Sequence, residues 1–232
     1  MISLPRKLLA EFIGTALLLA SVVGSGIMGV ALSDGNDGVA LLANAAATAG
    51  ALYVLIVLFG PISGAHFNPA VTLAMRLRGE LGNREAAAYV AVQVVAAILG
   101  VLLAHAMFEL PLLQPGTRAR AGMAQWLSEA VATFGLVLTI LLGVRHRPKA
   151  VPALVASYIF AAYWFTASTS FANPAVTLAR SLTQSFAGIR PEDVLGFIAA
   201  QLVGMLAGCA AARLLTSPPA SELEGISERT RD

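Results

Sequence analysis

Two asparagines offer the clearest chemistry in the chain. Asn68 and Asn173 each open the same seven-residue string, Asn-Pro-Ala-Val-Thr-Leu-Ala, at 68–74 and 173–179. A carboxamide carries an acceptor oxygen and two N–H donors. Asn is a preferred N-cap and Pro is preferred at the first helical position. Asn68-Pro69-Ala70 and Asn173-Pro174-Ala175 therefore predict two short helix starts, whose asparagines can offer N–H donors to a passing neutral molecule. Two carboxylates, Glu11 and Glu129, sit near the start of corresponding apolar runs. A carboxylate at membrane depth is functional by default, either as a proton-coupling site or as the acceptor for backbone N–H groups of a loop that would otherwise lack partners. Their matched placement favours the second role. His66, two residues before Asn68, is read as lining a vestibule, whereas His105 and His146 are read as peripheral.

The elements that must hold these groups are set by composition. Apolar residues make up 57% of the 232-residue chain and charged residues 12%, about half the charged share of a soluble domain. Stretches of about 20 nearly uncharged residues suit helices that cross a bilayer. Six spans are predicted, at roughly 5–32, 38–60, 84–108, 123–144, 150–168 and 192–215. The first apolar run is too long for the h-region of a cleaved signal and reads as a retained span. Basic residues crowd one set of loops, which places both termini in the cytoplasm. Only Arg118, Arg120, Arg180 and Arg190 fall on the other side. Residues 1–217 read as one transmembrane domain, with halves at about 1–115 and 116–217, followed by a polar cytoplasmic tail at 218–232. The basic residues form no single patch, so nucleic-acid binding is not indicated. One cysteine, Cys209, excludes an intrachain disulfide. No metal cluster, cofactor motif or nucleophile constellation points to an enzyme, and no cofactor is expected.

Each half holds three spans, so a duplicated unit must insert its second copy upside down, as in inverted-repeat transporters and channels. The two repeated strings then become half-helices in re-entrant loops, meeting N-terminus to N-terminus near the midplane. Non-helical backbone is tolerated at that depth only where it is buried or lines a cavity. Each helix N-terminus carries about half a positive charge. Together they oppose a monovalent cation at ~5 Å by about 3 kcal/mol at an effective dielectric near 20. Exclusion of cations and protons with passage of neutral polar molecules follows.

Ser63-Gly-Ala-His-Phe-Asn-Pro-Ala-Val-Thr72 and Phe171-Ala-Asn-Pro-Ala175 resemble the paired signatures of the major intrinsic proteins, the aquaporin and aquaglyceroporin family. The resemblance implies an all-α membrane fold of six helices plus two half-helices, one pore per subunit and a homotetramer in the lipid bilayer. It also implies a four-residue constriction, which counting from the two asparagines places on Thr48, Ala161, Ser170 and Val176. Most of the family carries arginine at the position of Val176. A set without ring or charge implies a wide, weakly polar opening that passes solutes larger than water. Two glycines usual in the second loop are Thr169 and Phe171 here, so that loop is expected to follow a different path. Thr177 stands where glycerol channels typically carry aspartate. Arg180, four residues after Val176, lies one turn further out on the same helix face. It reads either as a source of positive charge in the outer mouth or as a solvated helix-end arginine.

Valine after the second signature, preceded by Tyr163-Trp-Phe-Thr-Ala-Ser-Thr-Ser170, resembles a bacterial branch associated with arsenic resistance. The residues themselves point to small neutral solutes. The resemblance implies arsenous acid, with glycerol-like polyols and water, crossing a bacterial inner membrane. A proton-coupled transporter and a structural protein with a closed pore remain the alternatives.

Overall fold

In a computed structural model, which describes residues 2–216, the chain is all-helical over those residues. Eight α-helices follow in order: α1 (Leu4–Leu32), α2 (Asp37–Ser63), α3 (Pro69–Leu77), α4 (Asn83–Met107), α5 (Met123–His146), α6 (Val151–Phe165), α7 (Pro174–Arg180) and α8 (Val194–Thr216). Short 3₁₀ turns, Pro148–Ala150 and Pro191–Asp193, lead into α6 and α8. The expected tail at 218–232 lies outside the described residues.

Among the described residues, α1, α2, α4, α5 and α8 are long and apolar enough to cross a membrane. The sixth expected span, 150–168, is shorter. α6 has 15 residues, about 22 Å at 1.5 Å per residue. It stops at Phe165 because the chain must leave the helix there to begin a seven-residue approach to Asn173. On the other side of the repeat, α2 runs on to Ser63 and only four residues separate it from Asn68.

The packing is that of an inverted repeat. α1 lies against α2 and α4, α5 lies against α6 and α8, and α2 meets α6 where the halves join. The half-helices cross over: α3 touches α8 and α7 touches α4. Long helices approach closely at matched glycines. A Cβ on Gly100 would fall 2.3 Å from the Ala16 carbonyl oxygen, and one on Gly208 would fall 2.8 Å from that of Phe134. Such contact lets backbones pack without a strong hydrophobic drive between helices. α1 starts on the same face as α8 ends, called the terminal face below. The 108–122 link spans the distal face. There Gln114 N and Gly116 N donate to the carbonyls of Leu182 and Ser181, and Arg190 N donates to that of Arg118.

Candidate functional site: a pore between two half-helices

At the centre each asparagine does two jobs. Asn68 Oδ1 accepts the Ala70 N–H at 2.8 Å, and Asn173 Oδ1 accepts those of Ala175 and Val176 at 3.0 and 3.2 Å. These are N-cap bonds at the first turns of α3 and α7. Each side-chain amide then reaches across the repeat. Asn68 Nδ2 donates to the Ala172 carbonyl and Asn173 Nδ2 to the Phe67 carbonyl, both at 2.8 Å. An amide nitrogen has two donors, so one on each asparagine remains after the cross-brace. Both asparagines line the cavity.

The loops leading into the asparagines share a backbone recipe. Ala65 and Phe67 have φ of 51° and 49°; Ser170 and Ala172, at the same offsets from the second asparagine, have 49° and 48°. One residue further back, Gly64 at 90° matches Thr169 at 60°. Left-handed angles are unfavourable for any side chain and most so for a β-branched one. Thr169 and Phe171 do not divert the second loop. Thr169 accepts the strained conformation that glycine supplies in the first copy, and Phe171 needs no positive φ.

The strain is held by two carboxylates buried to zero exposure. Glu11 accepts from His66 N (2.9 Å), Phe67 N (2.7 Å), Ser63 Oγ (2.6 Å) and Gln93 Nε2 (2.8 Å). Glu129 accepts from Phe171 N (2.8 Å), Ala172 N (2.9 Å) and Gln201 Nε2 (2.6 Å). Gln93 and Gln201 each also donate to the threonine four residues past the asparagine, Thr72 and Thr177. Every oxygen of both carboxylates is engaged.

One cavity passes both asparagines. α2 presents Thr48, Leu52 and Ile56 to it, and α6 presents Val155, Ile159 and Tyr163, each set at the i, i+4, i+8 spacing of one helix face. Ala161 is exposed and absent from the lining. This corrects the expected constriction. Two residues along a helix are about 200° of rotation, so the side chain α6 turns to the pore is Tyr163. Its hydroxyl lies 3.2 Å from that of Thr48. Thr48, Tyr163, Ser170 and Val176 all line the cavity, so its wall does contain an aromatic.

His66 lines the opposite, terminal-face stretch, with Nδ1 3.1 Å from Thr72 Oγ1 and its ring 5.3 Å from that of Tyr89. The equivalent position in the second loop is Phe171, which packs edge-on against Phe197 at 5.2 Å. Phe171 also receives two guanidinium groups. The Arg180 Cζ sits 3.4 Å from its ring centroid and the Arg120 Cζ 4.8 Å away. Arg180 is 1% exposed, so it is not a solvated helix-end residue. Its Nε donates to the Ala187 carbonyl and it lines the cavity. Arg120 is buried too, with Nε on the Gly188 carbonyl (2.9 Å), Nη1 on that of Ser168 (2.8 Å) and its backbone N on Asp193 (2.6 Å).

A family model described as major intrinsic protein matches residues 1–166. The chain belongs to the major intrinsic protein family. It is 55% identical over 227 residues to the aquaglyceroporin AqpS of Rhizobium meliloti (strain 1021), covering 98% of this chain and 97% of that protein. The glycerol uptake facilitator protein of Bacillus subtilis (strain 168) is 29% identical over 143 residues, 55% of this chain and 52% of that one. The solved aquaglyceroporin from Plasmodium falciparum superposes with a TM-score of 0.77 over 92% of this chain and 98% of its own. At 19% identity it shows the shared fold. The family is one of membrane channels, not enzymes, and the chain is a multi-pass membrane protein.

Within this major intrinsic protein the residues singled out from sequence converge unevenly. Asn68, Asn173, Thr48, Ser170, Val176, His66 and Arg180 border one cavity, while Pro69, Ala70, Pro174 and Ala175 open the half-helices behind it. Glu11 and Glu129 stand outside the lining and hold the loops. His105 lies outside the cavity lining but is fully buried, with Nδ1 2.8 Å from the Leu112 carbonyl and Nε2 2.8 Å from Thr183 Oγ1, tying the distal loops together. Sequence reading missed Tyr163, Phe171 and Arg120 as members of the site. For Tyr163 the usable signal was its place four and eight residues after Ile159 and Val155. No sequence signal marked Arg120, which enters from a loop.

Proposed function

We propose that the protein is a passive channel for small uncharged solutes, narrowed on the distal side of the asparagines by Thr48, Tyr163, Ser170 and Val176. The observation that carries the reading is the cross-braced pair Asn68 and Asn173, bordering a cavity at the meeting point of two helix N-termini. Partial positive charges there oppose cations, and the wall around them is largely apolar, with few groups to replace an ion's hydration. The buried arginines add positive charge on the distal side. A proton-coupled transporter is disfavoured by the carboxylates, whose oxygens are all committed to loop N–H and side-chain donors.

Water and glycerol-like polyols are the solutes the named relatives favour, and arsenous acid is the leading specific one. At neutral pH arsenous acid is a neutral trihydroxide of polyol size. Valine at 176 leaves more room than an arginine would, which supports passage of such a molecule. The protein is read as a homotetramer with one pore per subunit in a bacterial inner membrane, its terminal face cytoplasmic by the excess of basic residues there.

The test is flux of water, glycerol, urea and arsenous acid into proteoliposomes, for the native protein and Val176→Arg. The native protein should pass all four down their gradients with no dependence on a proton gradient. Val176→Arg should cut the three larger solutes more than water. A requirement for a proton gradient would overturn the channel reading, and equal loss for every solute would remove position 176 from the constriction.

A further inference from the structure

An exposed basic turn borders the terminal end of the cavity. Val144, near the end of α5, and Val151, at the start of α6, both line the cavity. Between them stand Arg145, His146, Arg147, Pro148 and Lys149, all exposed. Arg145, Arg147 and Lys149 are like charges in one short turn and repel one another. Among the described residues, the ion pairs of the terminal face join Lys7 to Glu85 and Arg78 to Glu80, and none reaches this turn. Two observations indicate what does. The first is register. α5 and α8 run in the same direction, with Gly204 packed on Ala130 and Gly208 on Phe134. Continued in step, that register ends α8, at Thr216, beside Leu142 and within one turn of Arg145. The second is charge. Beyond Thr216 the sequence carries Glu222, Glu224 and Glu228, with no basic residue before Arg229. Leu223 and Ile226 stand among these glutamates, and Val144, 41% exposed beside the turn, offers them an apolar partner. Reach is not limiting: six residues of extended chain span about 20 Å, whereas packed helices lie about 8–10 Å apart.

We propose that the 145–149 turn is a docking surface for the chain's own acidic stretch, residues 222–228. Arg145, Arg147 and Lys149 donate to the carboxylates of Glu222, Glu224 and Glu228 at the terminal mouth of the cavity. Single exposed ion pairs are weak. Several made by one tethered segment act at the roughly millimolar effective concentration that a short tether supplies. The docking needs only that α5 and α8 end on one face, so it stands apart from the channel reading.

The experiment is disulfide cross-linking in the full chain. Arg147→Cys and Glu224→Cys are paired on a Cys209→Ser background, reconstituted in phosphatidylcholine vesicles and oxidised, and the disulfide is followed by peptide mass spectrometry. The two remaining charge pairs should hold the thiols together. Raising the salt from about 50 to about 500 mM should slow disulfide formation about fivefold, because exposed charges are then screened within a few ångströms. Adding Glu222→Lys with Glu228→Lys should slow it at least as much, and so should adding Arg145→Gln with Lys149→Gln. If the turn variant fails to insert, the glutamate variant decides alone, because it leaves every helix and turn described above unchanged. A rate insensitive to salt and to these charge changes would mean chance collision and overturn the docking. Loss of the disulfide when phosphatidylglycerol replaces part of the phosphatidylcholine would assign the turn to lipid headgroups and overturn it as well.

Discussion

The hydroxyls of Thr48 on α2 and Tyr163 on α6 lie 3.2 Å apart, joining the two halves of the repeat where both helices face the cavity. In the proposed channel this pair narrows the pore together with Val176 and Ser170, which line the same cavity. Tyr163→Phe should free Thr48 while keeping the ring, and should change solute flux less than twofold. Tyr163→Ala should widen the opening and raise permeability to solutes larger than glycerol, such as xylitol. Xylitol swelling of proteoliposomes measures this, and equal rates for native protein and Tyr163→Ala would place the constriction elsewhere.

Glu11 and Glu129 each receive two adjacent loop N–H groups and a glutamine amide. Glu129→Gln would leave a donor facing donors. Buried charged hydrogen bonds of this kind are worth about 1.5–3 kcal/mol each, so Glu129→Gln should lower the thermal unfolding midpoint in detergent by several degrees. Glu11→Gln should do likewise. A proton-coupling role would instead leave the midpoint near native and change the pH dependence of flux.

Asn68→Ala and Asn173→Ala each remove a helix cap and one of the two cross-braces. A lost cap costs about 1 kcal/mol, and the cross-brace adds to that. Both variants should show increased leak of protons or sodium while still passing water. Ion-loaded proteoliposomes with a pH-sensitive dye report the leak. No increase in either variant would mean that exclusion does not depend on these carboxamides.

Arg120 is a strut for the second loop. It bonds the Ser168 and Gly188 carbonyls, and Asp193 holds its backbone. Arg120→Ala should orphan two buried carbonyls, at about 1–3 kcal/mol each, and loosen the approach to Asn173. Asp193 also accepts from Arg190 Nε and Nη2, both at 3.1 Å. Arg120→Ala should therefore lower the thermal unfolding midpoint in detergent, and a native midpoint would remove the strut role.

What the amino-acid sequence determined by itself was whatever depends on local pattern. Runs of nearly uncharged residues dictate membrane helices, because a bilayer offers the backbone no partners. An asparagine followed by proline dictates a helix start, and its exact repetition at 68 and 173, with glutamates at 11 and 129, discloses the inverted duplication. Tertiary structure decided which side chains face the pore. Counting from Asn173 pointed to Ala161, but α6 ends eight residues before that asparagine and presents Tyr163. A shift of two residues puts a side chain on the opposite face of a helix, so an error too small to disturb the fold reassigns the filter. Only the folded chain could show that Thr169 holds the left-handed angle of a glycine, because Arg120, arriving from the 108–122 link, bonds the neighbouring Ser168 carbonyl. Only it could show that Arg180 is buried on Phe171 instead of solvated. Those contacts join residues far apart in the chain, and no local spacing encodes them.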